Sequence, residues 1–210
     1  MSGEPLLEGV GPLQPLAKAL AGPVMRPWFR LRVEGAEHLP REGPAILAPN
    51  HDSMWDIPVL VVACPRPVVF MAMEDVFDRP LKRWVFRRLG GFPVSSGGSD
   101  LSAMKTSLAV LRSGRLLCIY PEGTRRPGTL LPFHPGVARI AMAAAAPIVP
   151  VGIVGTADIW SRGRAVPRRA QLTVRYGEPI AVDASRRPRA ETVDVLSARV
   201  RSAVETLLRA

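Results

Sequence analysis

A histidine followed closely by two acids, in Asn50-His51-Asp52-Ser53-Met54-Trp55-Asp56, is the first stretch of this 210-residue chain that could do chemistry. A carboxylate can hold one imidazole nitrogen protonated while the other accepts a proton from a hydroxyl, which is how a histidine serves as a general base. Geometry sets a condition on the pair. Five residues of ideal helix turn about 500°, so His51 and Asp56 do not share a helix face. They meet only if His51 lies in a loop and Asp56 in the first turns of a following helix. With three histidines and 18 acidic residues in the chain, some acid five positions after a histidine is roughly a one-in-four accident. The spacing alone therefore leaves an ordinary loop open as an alternative.

The second stretch is Tyr120-Pro121-Glu122-Gly123-Thr124-Arg125-Arg126. Pro and Gly set a tight turn whose amides can face an anion, and an arginine there can grip phosphate through its planar fork. Taken alone it is equally an ordinary loop with solvated arginines. The chain has no G-x-S-x-G nucleophile elbow, no G-x-x-x-x-G-K-[ST] loop and no G-x-G-x-x-G after a strand, which removes serine-hydrolase, P-loop and dinucleotide-binding chemistry from the field.

The elements around these stretches alternate. Apolar runs bounded by Gly and Pro predict strands at Arg32–Glu34, Ala45–Ala48, Pro67–Met73, Leu116–Tyr120, Ile148–Ile153 and Leu172–Tyr176. Helices are predicted over Ser53–Ala63, over Pro80–Leu89 with Leu81, Trp84, Val85 and Leu89 on one side, and from a Ser99 cap through Leu101, Met104, Leu108 and Leu111 to Gly114. Another starts at Gly136, and Val193, Leu196, Val200, Val204 and Leu207 mark an amphipathic C-terminal helix. Such alternation implies a single α/β domain, a mixed and mostly parallel sheet covered by helices. Both chemical stretches then fall at strand ends, where open α/β sheets place their sites.

Composition narrows the class. The net charge is +10, and of the 28 cations only Lys18, Lys82 and Lys105 are lysines. The excess charge permits polyanionic partners such as nucleic acid, phosphorylated metabolites or an anionic lipid surface. No nucleic-acid reading motif accompanies it, so a nucleic-acid partner is not expected. Cys64 and Cys118 sit among apolar neighbours without metal spacing, which predicts buried thiols in a reducing compartment and no metal site. The uncharged stretch Ile140–Ala157 has nearly the length of a membrane span. Pro147, Pro150, Gly152 and Gly155 interrupt it, so it is expected to divide into a helix ending near Ala146 and a buried strand. The start of the chain carries Glu4 and Glu8 with no basic n-region, unlike a signal peptide. Residues 1–30 differ from the rest: Leu13, Leu16, Leu20 and Val24 keep helical spacing, and Arg26, Trp28, Phe29 and Arg30 set aromatics beside cations. That mix suits a lipid interface, and equally a helix packed on its own domain.

Together the two stretches carry a resemblance. From about Arg32 to Ile180 the chain resembles the bacterial 1-acyl-sn-glycerol-3-phosphate acyltransferases and the wider glycerolipid acyltransferases. Their first block, N-H-x-S-x-x-D, matches at Asn50, His51, Ser53 and Asp56, and their [FY]-P-E-G-T-R block matches at Tyr120 to Arg125. Their P-[IV]-[VI]-P-V run matches at Pro147 to Val151. The order and the spacing of roughly 70 and 25 residues also agree.

The resemblance implies transfer of a fatty acyl group from acyl-CoA or acyl carrier protein to the free hydroxyl of lysophosphatidic acid, in phospholipid biosynthesis. It implies that His51 is the general base and Asp56 its orienter, while Asn50, Ser53, Glu122, Gly123, Thr124 and Arg125 shape the substrate site. No cofactor, metal or covalent acyl-enzyme is implied. Residues 1–30 become an amphipathic membrane-associating segment and residues 31–210 the acyltransferase domain, placed peripherally on the cytoplasmic face of the cell membrane. The second block departs from the pattern. Where relatives carry G-x-x-x-[IV]-[DE]-R, this chain has Gly91-Phe92-Pro93-Val94-Ser95-Ser96, and His134 stands where a lysine is common. The missing arginine opens the alternatives of another lysophospholipid or a glycolipid acceptor. A catalytically silent lipid-binding homologue is a further alternative, against which the intact His51 and Asp56 argue.

Overall fold

The computed structural model describes residues 11–94, 101–160, 167–185 and 187–210. Its strands are β1 (Arg32–Glu34), β2 (Ala45–Pro49), β3 (Val68–Met73), β4 (Gly91–Val94), β5 (Leu116–Cys118), β6 (Ile148–Val154) and β7 (Thr173–Tyr176). Its α-helices are α1 (Gln14–Trp28), α2 (Asp56–Ala63), α3 (Pro80–Arg88), α4 (Leu101–Arg112), α5 (Gly136–Ala144) and α6 (Ala190–Arg209). The strands form one sheet in the order β1-β7-β6-β2-β5-β3-β4. From β6 to β4 every neighbouring pair is parallel. β7 pairs antiparallel with β6 and parallel with β1, so these two run the other way.

The middle of the sheet is apolar because both its faces are covered. All five residues of β2 are buried, as are all three of β5, and a strand buried on both faces reads as a continuous apolar run. Alternation sorts its side chains to opposite faces. Leu47 packs with Val59 and Leu60 of α2 and with Val149, Val151 and Val174. Ile46 and Ala48 pack with Val110 of α4, Ile140 of α5 and Val200 of α6. In register, Ile46 stands beside Leu117 on one side and Ile148 on the other.

Several expectations shift. The helix after β2 begins at Asp56 rather than Ser53, leaving residues 51–55 as an irregular turn. The strand Gly91–Val94 has no counterpart in the predicted set. It holds Pro93, which lacks a ladder N–H and argues against a central strand, and β4 accordingly lies at the sheet's edge. The strand expected to end at Tyr120 ends at Cys118, although Ile119 N still donates to Leu47 O at 3.0 Å. The stretch Ile140–Ala157 divides as expected: α5 stops at Ala144, Ala145 turns left-handed (φ 52°), and β6 follows. No described helix is long and apolar enough to cross a membrane. The Ser99 cap, and Ser95 with Ser96, lie outside the described residues.

The apolar side of α3 is largely exposed among the described residues. The helix has no buried residue, and Leu81 is 73% and Trp84 52% exposed. α1 divides its faces. Gln14 and Gly22 are buried, and the Gln14 side chain donates to Val68 O and Leu89 O and accepts from Val68 N. Leu16, Leu20 and Val24 face outward, Leu20 at 69% exposure. Arg26 is tied inward to Val62 O at 3.0 Å, and Lys18 to Cys64 O. Cys64 and Cys118 are buried free thiols, both pushed up from their ordinary pKa chiefly by burial.

Candidate active site

Three stretches far apart in sequence meet because β5, β2 and β6 are parallel neighbours, so their C-terminal ends open at one edge of the sheet. β2 delivers Asn50 and His51, β5 delivers Tyr120 and Glu122, and β6 delivers Gly155 and Thr156. Asn50 acts as a side-chain extension of the ladder. Its amide donates to Ile153 O at 2.9 Å and accepts from Ile153 N at 2.7 Å, fixing the end of β2 against β6.

The irregular turn from His51 to Trp55 supplies the path that an ideal helix denies. His51 Nδ1 lies 2.8 Å from Asp56 Oδ2, and the same oxygen accepts the amides of Asp52 and Ser53, each at 2.9 Å. Oδ1 accepts the Thr156 hydroxyl. Asp56 is 0% exposed, and a buried carboxylate is tolerable only when its lone pairs are taken up in this way. It also opens α2, where the helix dipole favours a negative charge. Because a carboxylate only accepts, Nδ1 carries the imidazole proton and Nε2 is left as the nitrogen able to take one.

The other wall belongs to Tyr120 and Glu122. The Tyr120 ring stacks on the His51 ring with centroids 4.0 Å apart. Burial pushes its phenol well above the ordinary value, so the ring is a neutral wall. Glu122 is nearly inaccessible and spends both oxygens on backbone, accepting His51 N and Leu131 N at 2.7 Å each. Its carboxyl is raised by burial, against the pull of those two amides. Asp52, half-buried, is also raised, first by burial and then by the neighbouring Asp56 charge. The loop from Gly123 returns across the site, where Arg126 N donates to His51 O at 3.1 Å. Gly123 has φ +66°, and a Cβ there would stand 3.0 Å from the His134 ring, so the turn requires glycine.

Of the residues singled out in the sequence, His51, Asp56, Ser53 and Glu122 form one hydrogen-bonded cluster, and Asn50 beside them is bonded to Ile153. Ser53 contributes its amide to Asp56, and its hydroxyl accepts Trp55 N at 3.3 Å. Thr124 and Arg125 lie exposed on the following loop with Arg126. Sequence reasoning passed over Thr156 and did not single out the Tyr120 ring. Among the described residues no group of three His, Cys, Asp or Glu side chains comes together to hold a metal.

A family model described as Acyltransferase matches residues 30–154. A 1-acyl-sn-glycerol-3-phosphate acyltransferase of Cocos nucifera is 32% identical over 157 residues, covering 73% of this chain and 50% of that protein. The protein of the same name from Bacillus subtilis (strain 168) is 27% identical over 154 residues, covering 71% of this chain and 73% of its own. Among solved structures, the crystal structure of the 1-acyl-sn-glycerophosphate (LPA) acyltransferase PlsC from Thermotoga maritima superposes with a TM-score of 0.72 at 25% identity, covering 93% of this chain and 78% of that one. Against the plant relatives, this chain spans about half of their length.

Proposed function

Because this chain belongs to the Acyltransferase family, as the match over residues 30–154 shows, we propose that it transfers a fatty acyl group from a thioester, acyl-CoA or acyl carrier protein, to the free hydroxyl of lysophosphatidic acid. The observation that carries the reading is the His51–Asp56 contact at the mouth of three parallel strands, with Nδ1 held and Nε2 left to act. In this reading Nε2 takes the hydroxyl proton as the oxygen attacks the thioester carbonyl. The carbon–sulfur bond then breaks, and the imidazolium returns its proton to the leaving thiolate. Asp56 stabilises the imidazolium that forms between the two steps. The proton path runs through side chains of this chain and calls for no metal and no covalent acyl-enzyme.

Asn50, Ser53 and Glu122 serve this site by position. Each is engaged with backbone or with Asp56, so they hold His51 and the loop rather than the substrate. The acceptor phosphate is assigned to the exposed loop with Gly123, Thr124 and Arg125, beside the base, where a held phosphate would direct its hydroxyl onto the thioester. The enzyme works peripherally at the cytoplasmic face of the membrane, with the outward residues of α1, Leu16, Leu20 and Val24, entering the lipid interface. Arg26, bonded to Val62 O, braces α1 on α2.

The serines at 95 and 96 favour a second reading, in which the acceptor is another lysophospholipid or a glycolipid. The test is thiol release from acyl-CoA across a panel of lysolipid acceptors. Highest kcat/KM with lysophosphatidic acid supports the first reading, and highest kcat/KM with a phosphate-free head group supports the second. Release with no acceptor above the enzyme-free rate contradicts both.

A further inference from the structure

Thr156 stands 100 residues from Asp56 in the chain, on the 3-10 turn Thr156–Asp158 that follows β6. The turn is built to bring it back. Gly155 has φ +90°, and a Cβ there would lie 2.3 Å from Gln171 O, so only glycine allows the reversal. Thr156 emerges wholly buried with its hydroxyl on Asp56 Oδ1. We propose that Thr156 is a positioning residue of the His51–Asp56 pair, fixing the carboxylate so that Oδ2 faces the imidazole. The proposal rests on the reading of His51 as the base.

Oδ2 already takes three donors, namely His51 Nδ1 and the amides of Asp52 and Ser53. Among the described residues Thr156 is the donor to Oδ1. Without it, half of a buried carboxylate lacks a partner, and the group can recover only by rotating away from His51 or by binding a proton more tightly. Both outcomes touch the base. Rotation loosens the hold on Nδ1 and withdraws charge from the imidazolium, whereas a more basic carboxylate left in place stabilises it, so either outcome moves the pH at which the pair gives up its proton. Among the described residues, the titratable groups near the pair include Asp52, Glu122 bonded to His51 N, the Tyr120 phenol stacked on the ring, and Cys118. Arg126 meets His51 through its backbone N–H. All are unaltered by a change at Thr156, which a threonine-to-valine substitution confines to one hydroxyl.

The experiment compares Thr156→Val, which keeps the branched shape, with Thr156→Ser, which keeps the hydroxyl. It uses the full-length chain, acyl-CoA and lysophosphatidic acid. In Thr156→Val, kcat falls about 10-fold with KM unchanged. The acid limb of its pH–rate profile moves, to higher pH where the carboxylate stays on His51 and to lower pH where it rotates away, and the Nδ1 proton resonance of His51 shifts. Thr156→Ser restores wild-type behaviour in all three. If the valine variant proves unfolded by circular dichroism, Thr156→Ala against Thr156→Ser carries the same comparison. A substitution lacking the hydroxyl with wild-type kcat and pH profile, or a serine variant as impaired as it, overturns the proposal. The resonance separates the two layers of the reading. If it shifts in Thr156→Val while His51→Ala remains fully active, the positioning bond stands and the base assignment falls.

Discussion

At the ends of β2, β5 and β6, polar groups meet one another inside the protein. Asp56 takes four donors, Glu122 two and Asn50 bridges a strand, so the His51 ring is held from several directions at once. On the outer faces of α1 and α3 the arrangement reverses. Leu16, Leu20, Val24, Leu81 and Trp84 stand in solvent while the nearby Lys18 and Arg26 turn inward onto carbonyl groups. The first region is finished within the chain, as a site that must be ready before substrate arrives. The second stands exposed among the described residues, and apolar faces of this kind fit a surface completed by something else. Changes at the first should act on turnover, and changes at the second on where the protein sits.

The largest effect is expected from Asp56→Asn. The amide can donate to Nδ1 and so selects the wrong tautomer, leaving Nε2 protonated and unable to accept the acceptor's proton. Turnover should fall by about 100-fold or more, measured as steady-state thiol release, with KM little changed. A drop confined to KM would show that Asp56 serves binding instead.

A smaller effect is expected from Ser95 and Ser96, which stand in the sequence where relatives carry an acid and an arginine. An arginine gives phosphate a bidentate, charge-assisted contact that serine cannot. Installing the relatives' pair, Ser95→Asp with Ser96→Arg, should lower KM for lysophosphatidic acid by about 10-fold relative to other lysolipids. No gain would mean that another cation already covers the phosphate. Arg88, at the end of α3, lies over the Trp84 ring at 5.5 Å and is partly engaged there.

The smallest effect is expected at the outer face of α1. Changing Leu16, Leu20 and Val24 together to serine should weaken co-sedimentation with anionic vesicles by about fivefold while leaving turnover on micellar substrate unchanged. Unchanged binding would move the docking role elsewhere, with α3 the next surface to test. Deleting residues 1–30 is a poorer test, because it removes the buried Phe29 and the Gln14 side chain that ties α1 to β3.

The central strands were legible because burial on both faces leaves a plain signal, an unbroken apolar run ended by Pro or Gly. The meeting of His51 with Asp56 was legible only as a condition. Helical geometry forbids it, and the chain satisfies it by delaying α2 until Asp56 itself. Strand β4 was hidden by Pro93, whose cost vanishes at an edge. The exposure of Leu81 and Trp84 was hidden for a different reason: periodicity says which residues share a side of a helix and nothing about what that side meets. Thr156 was out of reach because its partner is 100 residues away. What makes it visible afterwards is the strand order, which sets β6 beside β2 and so puts whatever follows Gly155 next to whatever follows Asn50.

In the proposed reaction His51 takes a proton from a lysolipid hydroxyl. The most direct measurement incubates wild-type and His51→Ala protein with isotopically labelled acyl-CoA and lysophosphatidic acid and follows labelled phosphatidic acid by mass spectrometry. Wild type should form it with matching thiol release, and His51→Ala, folded by circular dichroism, should form it at least about 100-fold more slowly. Near-wild-type product formation by His51→Ala, or label retained covalently on the protein, would contradict the account.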